Sequence, residues 1–174
     1  MFYTVPVTEK LPDFGRITAL YERAFPANER RPLHPLLNDT TGCSDFLAFY
    51  EDKEFVGFAC LLTRRDITHI LYIAIDEVMR GQGYGTKALE AIRRVRPGQR
   101  IIADLEDDAR EAEGGPRHKR KQCYERCGYR KTGVEYPWRG EDYIILSQGG
   151  PVTMEEFLLF WHYFEHENTA FSEF

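Results

Sequence analysis

The stretch that most restricts how this chain can fold runs from an apolar segment, Ile67 to Ile75, into Arg80-Gly81-Gln82-Gly83-Tyr84-Gly85 and on to Tyr84, Ala88, Leu89, Ile92 and Val95 at helical spacing. The first part reads as a buried strand and the last as one face of a helix. Glycines between them let the backbone turn tightly and bring its N–H groups toward an anion at the positive end of the helix. Pro97-Gly98 closes the helix, and Ile101 to Glu106 supplies a second strand. A strand, a helix and a strand in succession form a crossover, which places the two strands parallel.

Elements that favour antiparallel pairing surround this unit. Strand-like runs at Asp45 to Tyr50, Phe55 to Thr63 and Ile67 to Ile75 are separated by short charged turns, which predicts a meander. Before it, Leu11, Phe14, Ile17, Leu20, Tyr21 and Ala24 mark a helix that should stop at Phe25, because Pro26 disfavours helical backbone in the residue before it. Residues 26 to 35 are polar and proline-rich and read as a loop. After the crossover come a polar connection at 107 to 116, read as an insertion or a mobile flap, a helix from about Arg117 to Cys127 stopped by Gly128, and two strands near Tyr129 to Tyr136 and Asp142 to Ser147. Thr153 and Glu156 form a candidate capping box for a last helix reaching about His166. The expected fold class is α/β (α+β): a mixed, mostly antiparallel central sheet flanked by helices. We expect one domain over 1–174, with 149–174 as an aromatic C-terminal helical extension that adds a core layer or a self-association (homodimer) surface.

The glycine loop admits three ligand readings. A Walker-type nucleotide site fails because no Gly-Lys-Ser/Thr follows. A dinucleotide site gains from Glu106 at the next strand end, yet the glycines run G-x-G-x-G and a meander precedes them. The third reading is carried by a resemblance. Leu71 to Leu89, with Arg80, Gly83 and Gly85 at the positions of Q/R-x-x-G-x-G/A, resembles the acetyl-CoA motif of GNAT acetyltransferases. The later Cys123-Tyr-Glu-Arg-Cys-Gly-Tyr129 is similar to the family's F-Y-x-x-x-G-F ending, so two motifs stand in the right order.

That resemblance implies a sheet that splits between the strands ending at Ile75 and Glu106 to admit acetyl-CoA as co-substrate. Backbone groups of Ile73, Ala74 and Ile75 would pair with the pantetheine arm, and Arg80, Gly81, Gln82, Gly83, Tyr84, Gly85 and Thr86 would hold the pyrophosphate. Tyr124 matches the family's general acid facing the sulfur, and Glu106 the acid that serves as base or binds substrate. Asp104 shares the strand face of Glu106, because side chains repeat every two residues. With Glu29 it is a candidate for holding a cationic substrate. The run Arg117 to Lys121 would reach the 3'-phosphate of CoA or form a solvated face. Arg117 stands where a peptide-acetylating branch of the family carries asparagine. The implied activity is an N-acetyltransferase acting by direct attack on a small-molecule or peptide primary amine. The rival readings are a non-catalytic acyl-CoA sensor and a nicotinamide-dependent oxidoreductase.

Composition bounds the partners. A net charge of −5 disfavours nucleic acid, and no apolar run reaches the roughly 18 residues that span a bilayer, so no membrane partner is expected. The N-terminus carries no secretory pattern, and Cys43, Cys60, Cys123 and Cys127 include no C-x-x-C pair. Reduced thiols in a cytoplasmic protein, with no metal, are the expectation.

Overall fold

The computed structural model describes residues 1 to 174. Seven strands form one sheet: β1 (Phe2–Pro6), β2 (Ser44–Glu51), β3 (Glu54–Arg64), β4 (Ile67–Ile75), β5 (Arg100–Glu106), β6 (Arg130–Trp138) and β7 (Glu141–Gln148). Their spatial order is β1-β2-β3-β4-β5-β7-β6. Only β4 and β5 run parallel; the other neighbours are antiparallel. The meander and the crossover thus follow the sequence expectation, while the hairpin β6–β7 inserts its second strand next to β5, an order that the alternation of residues alone does not reveal.

The helices are α1 (Phe14–Ala24), α2 (His34–Leu37), α3 (Tyr84–Val95), α4 (Pro116–Arg126) and α5 (Met154–His162), the last followed by a π-helical turn over Tyr163–Glu167. Helix α1 ends before Phe25-Pro26 as expected. Thr153 and Glu156 form the capping box of α5, the Thr153 hydroxyl accepting from the Glu156 N–H and the Glu156 carboxylate from the Thr153 N–H.

Side-chain alternation divides the core between the two sheet faces. Phe58, Cys60 and Leu62 of β3 and Ile102 of β5 pack with Ile17 and Leu20 of α1 and Phe157, Phe160 and Phe164 of the C-terminal extension. Ala59 and Leu61 of β3 and Ile101, Ala103 and Leu105 of β5 point the other way, toward Ala88, Leu89 and Ile92 of α3 and Tyr124 of α4. The C-terminal aromatics therefore add a core layer. Even residues of β5 face α1 and α5, which puts Asp104 and Glu106 on that side of the sheet.

Candidate active site

The sheet opens where β4 and β5 part. Their pairing runs from Ile67 opposite Arg100 to Ile70 opposite Ala103 and goes no further. The cause lies on the other edge of β4, where Cys60 pairs with Tyr72 and Leu61 with Ile70, so Leu71 is an extra residue without a partner. Such a bulge bends its strand and reverses which side chains face which layer. Ile67 and then Tyr72 and Ala74 face α1, and β4 swings away from β5 beyond Ile70. The close β3–β4 approach after the bulge depends on Gly57, where an added Cβ would overlap the Ala74 carbonyl oxygen and lie 3.0 Å from Ile75 Cα.

The edges of Ile73, Ala74 and Ile75 that turn toward the opening have no strand beside them. From Ile75 the chain passes through a short 3-10 turn, Glu77–Met79, into the glycine loop. Arg80 Nε donates to the Ile75 carbonyl at 3.0 Å and Gln82 Nε2 to the Val78 carbonyl at 3.3 Å, so these two side chains brace the loop. Gly81 and Gly83 have φ of +74° and +81°, the left-handed region that glycine enters without strain. The backbone N–H groups of residues 81 to 86 donate to no acceptor in the protein. They crowd the start of α3, the geometry that binds anionic oxygens.

On the α1/α5 face the opening leads into a cavity of about 340 Å³. Leu71 and Tyr72 of β4, Asp104 and Glu106 of β5, Tyr136 and Tyr143 of the β6–β7 hairpin and Trp161 of α5 are among its walls, with Glu29 and Arg31 of the loop before α2. Its polar centre is a hydrogen-bonded chain. His69 Nε2 lies 2.8 Å from Asp104 Oδ1, and the Tyr136 hydroxyl donates to Asp104 Oδ2. His69 is only 2% exposed, edge-on to Trp161, and its Nδ1 has no partner. Burial, and then the adjacent Asp104 charge, push the Tyr136 phenol well above its ordinary value. Tyr143 donates to Glu29 Oε1 at 3.2 Å, and burial and that carboxylate raise it likewise. Both tyrosines remain hydrogen-bond donors at neutral pH.

Tyr124 sits on the opposite face, 5% exposed, edge-on to Tyr129 with ring centroids 5.0 Å apart. Burial pushes its phenol far up, against a smaller opposing effect of the Arg120 charge. It is therefore a protonated group, as an acid must be before it gives up its proton. No hydrogen bond joins Tyr124 to Glu106; the two stand on either side of β5.

The sequence-derived residues thus fall into two groups, one along the β4 edge and the α3 loop and one, Glu29, Asp104 and Glu106, at the cavity, with Tyr124 apart from the cavity on the α3 face of β5. Arg117, however, is drawn inward: its guanidinium lies 2.7 Å from Glu106 and 3.1 Å from Glu141. His118 and Lys121 pair with Asp108, and Glu111 accepts from the Arg117 and His118 N–H groups at the start of α4. Three members of the basic run, Arg117, His118 and Lys121, are thus paired with carboxylates, while Lys119 and Arg120 are exposed and make no ion pair. Opposite charges ten residues apart meet because the connection folds back onto the start of α4, which ties residues 107 to 116 to that helix. Cys123 and Cys127 are partly buried beside α3. Sequence reasoning missed His69, Tyr136, Trp161 and Arg31. His69 carried a usable signal, a lone imidazole in an apolar strand; the others come together only through tertiary packing.

Comparison with known proteins fits this geometry. Residues 14–129 match the family model described as Acetyltransferase (GNAT) family. Similar solved structures include a protein from Bacteroides thetaiotaomicron assigned to the GNAT acetyltransferases, at TM-score 0.77 and 19% identity over 95% of this chain and 97% of that one. A Bacillus subtilis acetyltransferase in complex with CoA aligns at TM-score 0.60 and 16% identity over 85% and 98%. The aminoglycoside 6'-N-acetyltransferase of Enterococcus faecium aligns at 0.62 and 14% over 87% and 99%. No curated protein matches the sequence. With a family model covering more than half of its length and a sheet that parts beside an amide-lined helix start, the chain belongs to the GNAT family of acetyltransferases.

Proposed function

We propose that the protein transfers the acetyl group of acetyl-CoA to a primary amine held in the cavity, by direct attack within a ternary complex. The observation that carries this reading is continuity: the unpaired β4 edge and the free N–H groups of residues 81 to 86 lead to the same opening as Glu29, Asp104 and Glu106. A strand edge suits the amide-bearing pantetheine arm, and the helix start suits the pyrophosphate.

In the step itself the amine nitrogen bonds to the carbonyl carbon, the C–S bond breaks, the amine loses a proton and the departing sulfur gains one. An alkyl ammonium titrates near ~10.4, so it must lose a proton before it can attack. Glu106 is the proposed base, directly or through water, and it shares its carboxylate with Arg117. Asp104 and Glu29 hold the cation, and Tyr124 protonates the sulfur. No cysteine stands at the position of an acyl carrier, which favours direct transfer.

Calorimetric titration with acetyl-CoA, and with NAD in parallel, tests the reading. Micromolar acetyl-CoA binding with none for NAD supports it; NAD binding alone transfers support to the oxidoreductase. Tyr124→Phe should lower kcat about 100-fold or more and leave the Kd for acetyl-CoA unchanged. Binding of acetyl-CoA without turnover of any amine would favour the sensor.

A further inference from the structure

One loop residue fixes a positive charge inside a cavity that otherwise suits an amine. Arg31 is held at both ends of its backbone: its N–H donates to the Tyr72 hydroxyl at 2.9 Å, and its carbonyl accepts from the Tyr21 hydroxyl at 2.7 Å. Tyr72 in turn donates to the Glu29 carbonyl at 2.9 Å, so the segment from Glu29 to Arg31 is pinned to β4 and α1. Tyr21 and Tyr72 are both buried, and their rings meet edge to face at 5.0 Å. The Arg31 guanidinium lies over Trp161 at 4.9 Å and Phe174 at 5.3 Å, and Nη1 donates to the Phe174 main-chain oxygen at 3.3 Å.

What this clamped guanidinium lacks is a carboxylate side chain. Arg16, Arg23, Arg96, Arg100 and Arg117 pair with Asp or Glu; the two arginines of the cavity wall, Arg31 and Arg120, do not, and the one oxygen that the Arg31 guanidinium meets is that of Phe174, the last residue of the sequence. The carboxylates on the cavity wall show the complementary pattern. Asp104 is met by His69, Glu106 by Arg117 and Glu165 by His166, whereas Glu29 has only the Tyr143 hydroxyl. Two residues apart on a pinned loop, Glu29 and Arg31 both line the cavity without pairing with each other. Exposed Arg120, at the cavity edge, adds a second guanidinium that has no carboxylate partner.

We propose that the acceptor carries a carboxylate as well as its amine, an amino-acid-like zwitterion with an apolar or aromatic body, and that Arg31 selects it. The inference rests on the acetyltransferase reading above and names its substrate class. The ammonium meets Glu29 on its way to the opening, the carboxylate takes the planar fork of Arg31, and the body lies among Phe25, Trp138 and Trp161. A polyamine fits less well, because its second ammonium would meet a fixed guanidinium. About 340 Å³ accommodates a molecule of amino-acid size and is small for an oligosaccharide.

The experiment measures CoA release at saturating acetyl-CoA with L-phenylalanine, L-tryptophan and L-leucine, each beside its carboxamide, and with spermidine. The carboxamides keep the body and remove only the acid. Their amines are less basic and more often unprotonated, so intrinsic reactivity works against the expected result. The wild type should prefer acid over amide by about 10- to 100-fold in kcat/KM, the range of a charge-assisted contact, chiefly through KM. Arg31→Gln should abolish the preference while leaving the slow amide reaction in place, and Arg31→Lys should restore part of it. Amides or spermidine used as well as the acids would overturn the proposal. So would a preference that survives in Arg31→Gln, or acetyl-CoA binding with no turnover of any acid. The wild-type comparison needs no variant to fold. Failure to bind acetyl-CoA by calorimetry is a separate result, which removes the acetyltransferase reading and this inference with it.

Discussion

The opening between β4 and β5 has two sides made of different materials. On the α3 side the recognition groups are backbone: a strand edge from Ile73 to Ile75 and the N–H groups of residues 81 to 86. On the α5 side they are side chains gathered from segments as distant as Glu29, Asp104, Tyr136 and Trp161. A backbone site needs only the right local conformation, so glycines and one bulge suffice and many sequences can build it. A side-chain site needs tertiary packing to bring its members together, and each member can be exchanged to suit another ligand. The family match ends at residue 129, before β6, β7 and α5 supply the rest of the cavity wall.

If this division holds, damage on the two sides separates in the assays. The largest effect is expected from Gly57→Ala, whose methyl group would overlap the Ala74 carbonyl. Overpacking of this kind costs about 3 kcal/mol, a fall in Tm of roughly 6 to 12 °C for a chain of this size. It should also weaken acetyl-CoA binding through the displaced β4 edge. A melting curve within a degree or two of wild type would show that β4 yields freely and that the edge is not a rigid template.

Next in size is Gly83→Ala. With φ of +81°, an alanine there adds about 1 to 2 kcal/mol of backbone strain. The loop relieves it by leaving the left-handed conformation, so acetyl-CoA affinity should fall about tenfold while acceptor KM stays put. Tyr136→Phe is the mirror experiment. Removing the donor to Asp104 should raise acceptor KM about threefold to tenfold, the worth of one hydrogen bond, and leave the acetyl-CoA Kd as it was. If either variant moved both constants together, the two sides would be one coupled site and not two.

How much of this could be read beforehand follows the same division. The α3 side was legible because its parts are neighbours in sequence: an apolar strand, glycines and a helical period within Leu71 to Leu89. The shared face of Asp104 and Glu106 followed from strand parity, and Pro26 marked the end of α1. Nothing in His-Ile-Leu-Tyr-Ile announces that Leu71 bulges, since a run apolar at nearly every position hides a change of parity. The insertion of β7 between β5 and β6 was likewise hidden, because either order keeps the same alternation. Arg31 lay in a polar loop, where no periodicity indicates which side chain turns inward; two buried tyrosines decide it.

The smallest expected effect concerns the connection between the two sides, residues 107 to 116, which joins the end of β5 to the start of α4. Asp108 anchors it. The Lys121 ammonium, and then His118, hold its carboxyl below the ordinary range, although partial burial opposes them. The side chain is 8% exposed, so solvent screens the pair less than a surface one. A carboxyl lowered by folding contributes stability that is fully present above its unfolded value of ~3.9 and disappears as pH falls through the lower folded value. Asp108→Asn should therefore melt a few degrees below wild type at pH 7, for a cost of roughly 1 kcal/mol. The gap should begin to close below about pH 4 and vanish at the acid end of the titration. Thermal melts of the two proteins across that range read it directly. A gap that persists in acid would mean that Asp108 acts by its shape and hydrogen bonds, and that charge does not hold α4, with Tyr124 on it, against the end of β5.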